Sequence, residues 1–160
     1  MTVDFAYQGG KKKTNYFEGW YYKNVTVDKK YTVSIIPGIS YTKEKECAFI
    51  QVIETIHNKS YYIEYDLNDV VFKKNPFCIQ IKDNYFYEDY IELDIHSDEI
   101  DLTGTLYYSE LTPLKNTYYS PTIMGPFAYL PMECNHSIIS LHHYIDGVLK
   151  LNQTEIDFED

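Results

Sequence analysis

At 160 residues the chain has the length of one domain, enough to bury roughly two thirds of its unfolded surface around a single core, which excludes a small disulfide scaffold and a multidomain machine. All 14 basic residues are lysine against 24 acidic ones, and a net charge of −10 disfavours nucleic acid as a partner and an anionic membrane as a surface. Cys47, Cys78 and Cys134 form an odd set with no paired spacing, as expected of a reducing, cytoplasmic setting without a disulfide framework.

In chain order, residues 1–13 end in Gly9-Gly10-Lys11-Lys12-Lys13, lack the apolar stretch of a secretory signal, and read as a loose tail. Residues 14–160 read as a single β domain. Val, Ile, Thr, Tyr, Phe and Trp make up 64 of the 160 residues, whereas alanine occurs three times, a balance that favours strands. Tyr31, Val33 and Ile35 alternate with Thr32 and Ser34, and Ile91, Leu93 and Ile95 with Glu92, Asp94 and His96, so each segment predicts a strand with one wet face. Cys47 to Ile53 and Tyr61 to Leu67 are apolar on both sides, as in strands covered on both faces or lining an apolar cavity. Asp66 to Phe72 suits one helical turn, and Phe77, Ile79 and Ile81 another strand. Ile100 to Tyr108 repeats the alternation around Gly104, where a missing side chain predicts a bulge or a close backbone approach. Turns are expected at His57-Asn58-Lys59-Ser60, at Asp83-Asn84 and at Asp146-Gly147, the last as a tight hairpin between Ile138–Ile145 and Val148–Leu151. The fold expected is all-β, an antiparallel barrel or sandwich of about eight to ten strands. The longest charge-free run, Asn116 to Met132, holds Pro121, Pro126 and Pro131 and so predicts no membrane span.

Two segments exceed ordinary strand chemistry. Tyr16-Phe17-Glu18-Gly19-Trp20-Tyr21-Tyr22 sets a carboxylate and a glycine among aromatics that include the only tryptophan. One reading is a first strand bulged at Gly19, with Glu18 in water. The other places Glu18 at a cavity mouth among ring faces, where lost solvation favours the protonated acid and makes a proton donor. The second segment, Ser120 to His136, is a proline-stiffened apolar loop ending in Glu133, Cys134 and His136, three chemically capable side chains within four residues. It reads either as a structural lid, with Glu133 satisfying backbone donors, or as a rigid platform for chemistry.

Phe17-Glu18-Gly19-Trp20-Tyr21, Ser34-Ile35-Ile36-Pro37-Gly38-Ile39-Ser40, Ala48-Phe49-Ile50-Gln51-Val52-Ile53 and the run from Met124-Gly125-Pro126-Phe127 to Met132-Glu133-Cys134-Asn135-His136 resemble the bacterial branch of the tocopherol cyclase family. The resemblance spans about residues 15 to 158 in the family's order and matches the N-terminal half of its longer members. Thr122 and Ser137 stand where glycine is usual in the family. The resemblance implies protonation of a prenyl double bond and attack of a neighbouring phenolic hydroxyl on the resulting cation, closing a chroman ring, with the complete protein as the active form.

That chemistry needs an acid held dry against the alkene and aromatic faces around the cation. Glu18 or Glu133 suits the acid, and His136 suits a group that orients it or accepts the phenolic proton. Trp20, Tyr21 and Phe17, with Gln51, are expected to line the substrate on one side, and Met124, Phe127 and Tyr129 on the other. No cofactor is expected. His142 and His143 alternate along a strand and cannot chelate one ion, and Cys134 with His136 lacks a third ligand, so no metal is expected either. Cys134 with His136 as a nucleophile and base pair is the weaker catalytic arrangement. The fold-level likeness to lipocalin-like proteins raises one alternative, a non-catalytic binding module for an isoprenoid or other apolar ligand, and the match to only half of the family's length raises another, a truncated, inactive fragment. A chain that is half of a cleft would expose an apolar face, to be covered by the missing half or by a homodimer.

Overall fold

The computed structural model describes residues 15–113 and 140–159. Over these residues the chain forms two antiparallel sheets. The first holds β1 (Tyr16–Gly19), β2 (Tyr22–Val25), β3 (Thr32–Tyr41), β4 (Glu46–Glu54) and β5 (Lys59–Tyr65). The second holds β6 (Val70–Lys74), β7 (Phe77–Ile81), β8 (Asn84–Tyr87), β9 (Tyr90–His96), β10 (Asp101–Ser109), β11 (Tyr144–Leu151) and β12 (Thr154–Asp157), each strand pairing with the next. A single 3₁₀ turn, Leu67–Asp69, capped by Asp66, links the sheets where one helical turn is expected. The arrangement is sandwich-like rather than a closed barrel, with twelve strands in place of eight to ten.

Part of that surplus comes from Pro37. β1 and β2 pair with β3 in one continuous register, from Tyr16 opposite Tyr41 to Val25 opposite Thr32. Between them Trp20 donates its N–H to the Pro37 carbonyl at 2.9 Å, but proline has no N–H to return. One strand is thereby interrupted into two. Gly19 pairs directly with Gly38, so the expected bulge at Gly19 is replaced by a regular ladder.

Alternation decides which side chains meet between the sheets. From the first sheet come Val33, Ile35 and Ile39 of β3 and Ala48, Ile50 and Val52 of β4; from the second come Ile79, Ile81, Phe86, Ile91, Leu93, Leu102, Leu106 and Leu149. Each fully buried Ile, Leu or Phe contributes roughly 1.5–3 kcal/mol, and these residues with Ile156 and Phe158 form one continuous buried cluster. β9 alternates as expected. β4 is covered on both faces from Cys47 to Ile50, but β5 is not: Tyr61 is buried whereas Tyr62 is half exposed. Nor is the Tyr31–Ile35 segment wet on one side, because Ser34 is buried and accepts a hydrogen bond from the Tyr21 hydroxyl at 2.9 Å.

The Asp146-Gly147 hairpin is corrected. Both residues lie inside β11, opposite Tyr107 and Leu106, and the chain turns instead at Asn152-Gln153, with Asn152 at φ 53°. Gly147 serves the second purpose of glycine. At φ 131° a Cβ there would stand 2.2 Å from the Thr105 carbonyl oxygen, so the residue permits a close approach of two backbones. Gly104 plays the expected part on β10, with φ 135° and the Val148 carbonyl oxygen 2.3 Å from the place of a Cβ. The turns near Asn58 and Asp83 form at Thr55–Asn58 and Lys82–Asp83, with Asn58 and Lys82 in the left-handed region.

Candidate functional site

The register that pairs β1 with β3 also sorts the aromatic motif. Tyr16, Glu18 and Trp20 alternate onto the inner side of the first sheet, and Tyr16 and Trp20 pack against the core. Glu18 is half buried between them, opposite the fully buried Ile39, and its Oε2 accepts the Tyr16 hydroxyl at 2.7 Å. Tyr16 stacks on Tyr41 with centroids 6.4 Å apart, while Trp20 meets Phe72 and Phe77 of the second sheet at 5.8 and 6.4 Å. Glu18 therefore sits among ring faces at the β1 edge of the sandwich. Phe17, Tyr21 and Gln51 belong to the opposite, outer face of the same sheet, so they cannot touch a ligand held by Glu18 and Trp20 on the inner face. Glu133, His136, Met124, Phe127, Tyr129 and Cys134 lie outside the described residues.

Further along the inner face is a polar tie between the sheets that the sequence did not announce. Asn24 is fully buried, donates to the Val33 carbonyl at 3.0 Å and accepts the Tyr108 hydroxyl through Oδ1 at 2.8 Å. Tyr22 lies against Phe86 and Tyr108, and its hydroxyl donates to the Tyr87 carbonyl at 3.0 Å. Burial, then the nearby Cys78 and Glu88, push the Tyr22 phenol far above its ordinary range; burial, then the neighbouring Tyr22, likewise raises Tyr108. Neither phenol ionises near neutral pH. His143 packs edge-on against Tyr108 at 5.2 Å, where burial, then His142, hold its imidazole below the ordinary value and so neutral. His142, also ahead of β11, turns instead to Tyr144.

Glu54 is the second polar residue missed. It is buried at the end of β4, with Oε2 accepting the His57 N–H at 2.7 Å and Oε1 3.5 Å from the His57 imidazole. Its sequence signal is parity: it continues the inward set Ala48, Ile50, Val52 at the next inward position.

On the outer face of the second sheet His96 bridges Asp101 at 2.8 Å and Asp94 at 2.9 Å. These bonds, Asp101 first, raise the imidazole above its ordinary pKa. A raised folded value means that the stabilisation is complete below the unfolded pKa, about 6.5, and fades as pH rises through the folded one. Thermal melts across that interval are expected to show the wild type losing more stability than His96→Gln; parallel curves would remove the bridge as a source of stability.

Among the described residues no group of three His, Cys, Asp or Glu side chains is disposed to hold a metal ion, and no helix is long and apolar enough to cross a membrane. An open cleft of about 280 Å³ between the β2–β3 turn and β12 is lined by Asp28, Glu155, Asp157 and Glu159 with Thr26, Val27, Tyr31 and Ile156. The fold and the site thus define an all-β sandwich with a carboxylate set among aromatic rings at one inner edge. Compared with protein-family models, with curated proteins and with solved structures, the chain matches none.

Proposed function

We propose that this chain is a tocopherol cyclase-like module that takes the aromatic head of a prenylated phenol or quinol at the Tyr16–Glu18–Trp20 edge. Ring closure to a chroman at this edge is the reaction that the reading assigns to it. The supporting observation is the 2.7 Å bond from the Tyr16 hydroxyl to Glu18 Oε2 on the inner face. A ligand phenol can offer Glu18 the same bond, while Tyr41 and Trp20 supply ring faces for the head and the first isoprene unit. Glu18 then suits the acceptor of the phenolic proton: as the phenolic oxygen bonds to the tertiary carbon, its proton passes to the carboxylate. The acid that protonates the alkene is a separate group, and Glu133 keeps that role as an expectation. The continuous packed core favours the second reading, binding without catalysis, because it leaves the tail to lie along the edge rather than in an enclosed cavity.

Trp20 is the only tryptophan, so its emission reports on the site directly. Titration with a geranyl-bearing phenol is expected to give a saturable change, weakened roughly tenfold in Glu18→Gln because a hydrogen bond to a charged acceptor is lost. An unchanged spectrum at high ligand excess rules out a site at Trp20. Chroman formation by the wild type separates the two readings: binding without product leaves a binding module.

A further inference from the structure

A row of tyrosines crosses the outer face of the second sheet. Tyr87 of β8 and Tyr90 of β9 stack with centroids 4.3 Å apart, and Tyr107, opposite Tyr90 in the β9–β10 register, lies 5.9 Å beyond it. Tyr87 and Tyr90 are half buried, whereas Tyr107, at the end of the row, is 57% exposed and has β11 on its open side. Asp146 of β11 stands directly opposite Tyr107, with Tyr144, 42% exposed, as a diagonal neighbour. On β9 the next outward residue after Tyr90 is the exposed Glu92. Tyr107 is thus flanked by two carboxylates and two further rings, and none of these positions carries a cation.

Other charges of the same face have partners in the chain. Asp94 and Asp101 bracket His96, and Lys150 stands opposite Glu155. Among the described residues Glu92 and Asp146 have no such cation. A tyrosine face attracts a cation through its quadrupole, carboxylates beside it add to that attraction, and a net charge of −10 draws cationic partners from a distance. We infer that this patch docks an extended basic segment of a partner protein, with arginine or lysine at every second position. The spacing selects that pattern. β9 and β11 are two strand separations apart, and Glu92 and Asp146 are offset by two residues along the ladder, which sets them about 12 Å apart. Side chains i and i+4 of an extended segment share a face about 13 Å apart, so one cation meets each carboxylate while the side chain at i+2 falls over Tyr107. Arginine suits that central place because its planar guanidinium stacks on a ring. An open sheet face gives a small cation little enclosure, whereas a segment lying across three strands covers it. The inference is independent of the ligand reading, because the patch lies on the other sheet and faces away from Glu18.

Fluorescence anisotropy of a labelled Arg-Ser-Arg-Ser-Arg peptide, titrated with the full chain at about 0.1 M salt, is expected to show saturable binding below roughly millimolar concentration. Tyr107→Ala is expected to weaken it about fivefold or more, and Tyr107→Phe, which keeps the ring, to leave it within about twofold. Asp146→Asn and Glu92→Gln are each expected to weaken it about threefold or more. Glu46→Gln makes the same change in net charge on β4 of the first sheet and is expected to leave binding unaltered. No binding by the wild type up to about millimolar overturns the inference. Equal losses in Asp146→Asn and Glu46→Gln overturn it as well, since they assign the attraction to overall charge. Equal affinity for free arginine amide does the same, because it assigns the patch to a small cation instead of a segment.

Discussion

Gly104→Ala is expected to destabilise the protein by about 3 kcal/mol or more, from a dihedral cost of about 1–3 kcal/mol and overpacking of about the same size. The dihedral part follows from φ 135°, a region that an alanine enters only under strain. The packing part follows from what the new methyl meets. The Val148 carbonyl oxygen would lie 2.3 Å away and the Leu149 Cα 3.1 Å away, and both belong to the β11 backbone, which cannot move aside without opening the ladder. In a domain of this size the loss corresponds to a fall in Tm of roughly 10 °C. Gly38→Ala makes the contrast. Its nearest neighbour is the tip of the Phe49 ring, a side chain that can turn, although the Glu18 carbonyl at 2.7 Å resists the change, and so a smaller loss is expected. Thermal or denaturant melts of the two variants test the ordering. Wild-type stability in Gly104→Ala would mean that β10 and β11 do not approach as closely as described.

The same pair of strands shows what the sequence could and could not disclose. The missing side chain of Gly104 inside an apolar alternation announced a bulge or a close approach, and the unbroken register of β10 with β11 makes it the latter. Gly147 carried a competing signal: aspartate followed by glycine is the residue pair of a tight hairpin, and local turn chemistry was outweighed by the eight paired positions that join β11 to β10. Period-two patterning identified β9 and β10 because each has one wet face, and β7 through Phe77, Ile79 and Ile81, although Cys78 between them is buried as well. On β3 it found the strand and its inward residues Val33 and Ile35 but not the covering of the other side, where Ser34 lies under Tyr21 of the preceding segment. The aromatic motif was visible as chemistry but not as geometry. Its residues read as one cluster along the chain, yet strand alternation divides them, Glu18 and Trp20 inward, Phe17 and Tyr21 outward, and only the register with β3 decides which set faces the core. Asn24 was invisible for a related reason, since nothing in Lys23-Asn24-Val25 indicates that the residue 84 positions on will donate to it.

That distant bond carries the second large effect. Asn24→Ala is expected to cost about 2–3 kcal/mol, because it leaves the buried Tyr108 hydroxyl without its acceptor, takes the side-chain donor from the Val33 carbonyl and opens a small void beside Tyr22. Tyr108→Phe removes one hydroxyl and leaves Asn24 Oδ1 unpaired, for about 1–2 kcal/mol. The two residues stand on different sheets, Asn24 on β2 and Tyr108 on β10, so their bond is specific to the assembled sandwich and absent from either sheet alone. The double variant is therefore expected to cost less than the sum of the single ones, with a coupling of about 1 kcal/mol or more in a double-mutant cycle. Denaturant unfolding of the four proteins measures it. Additive losses would show that Asn24 and Tyr108 are satisfied separately, and the polar joining of the two sheets would then rest on the bond from the Tyr22 hydroxyl to the Tyr87 carbonyl, beside the apolar packing of Tyr22, Phe86 and Tyr108.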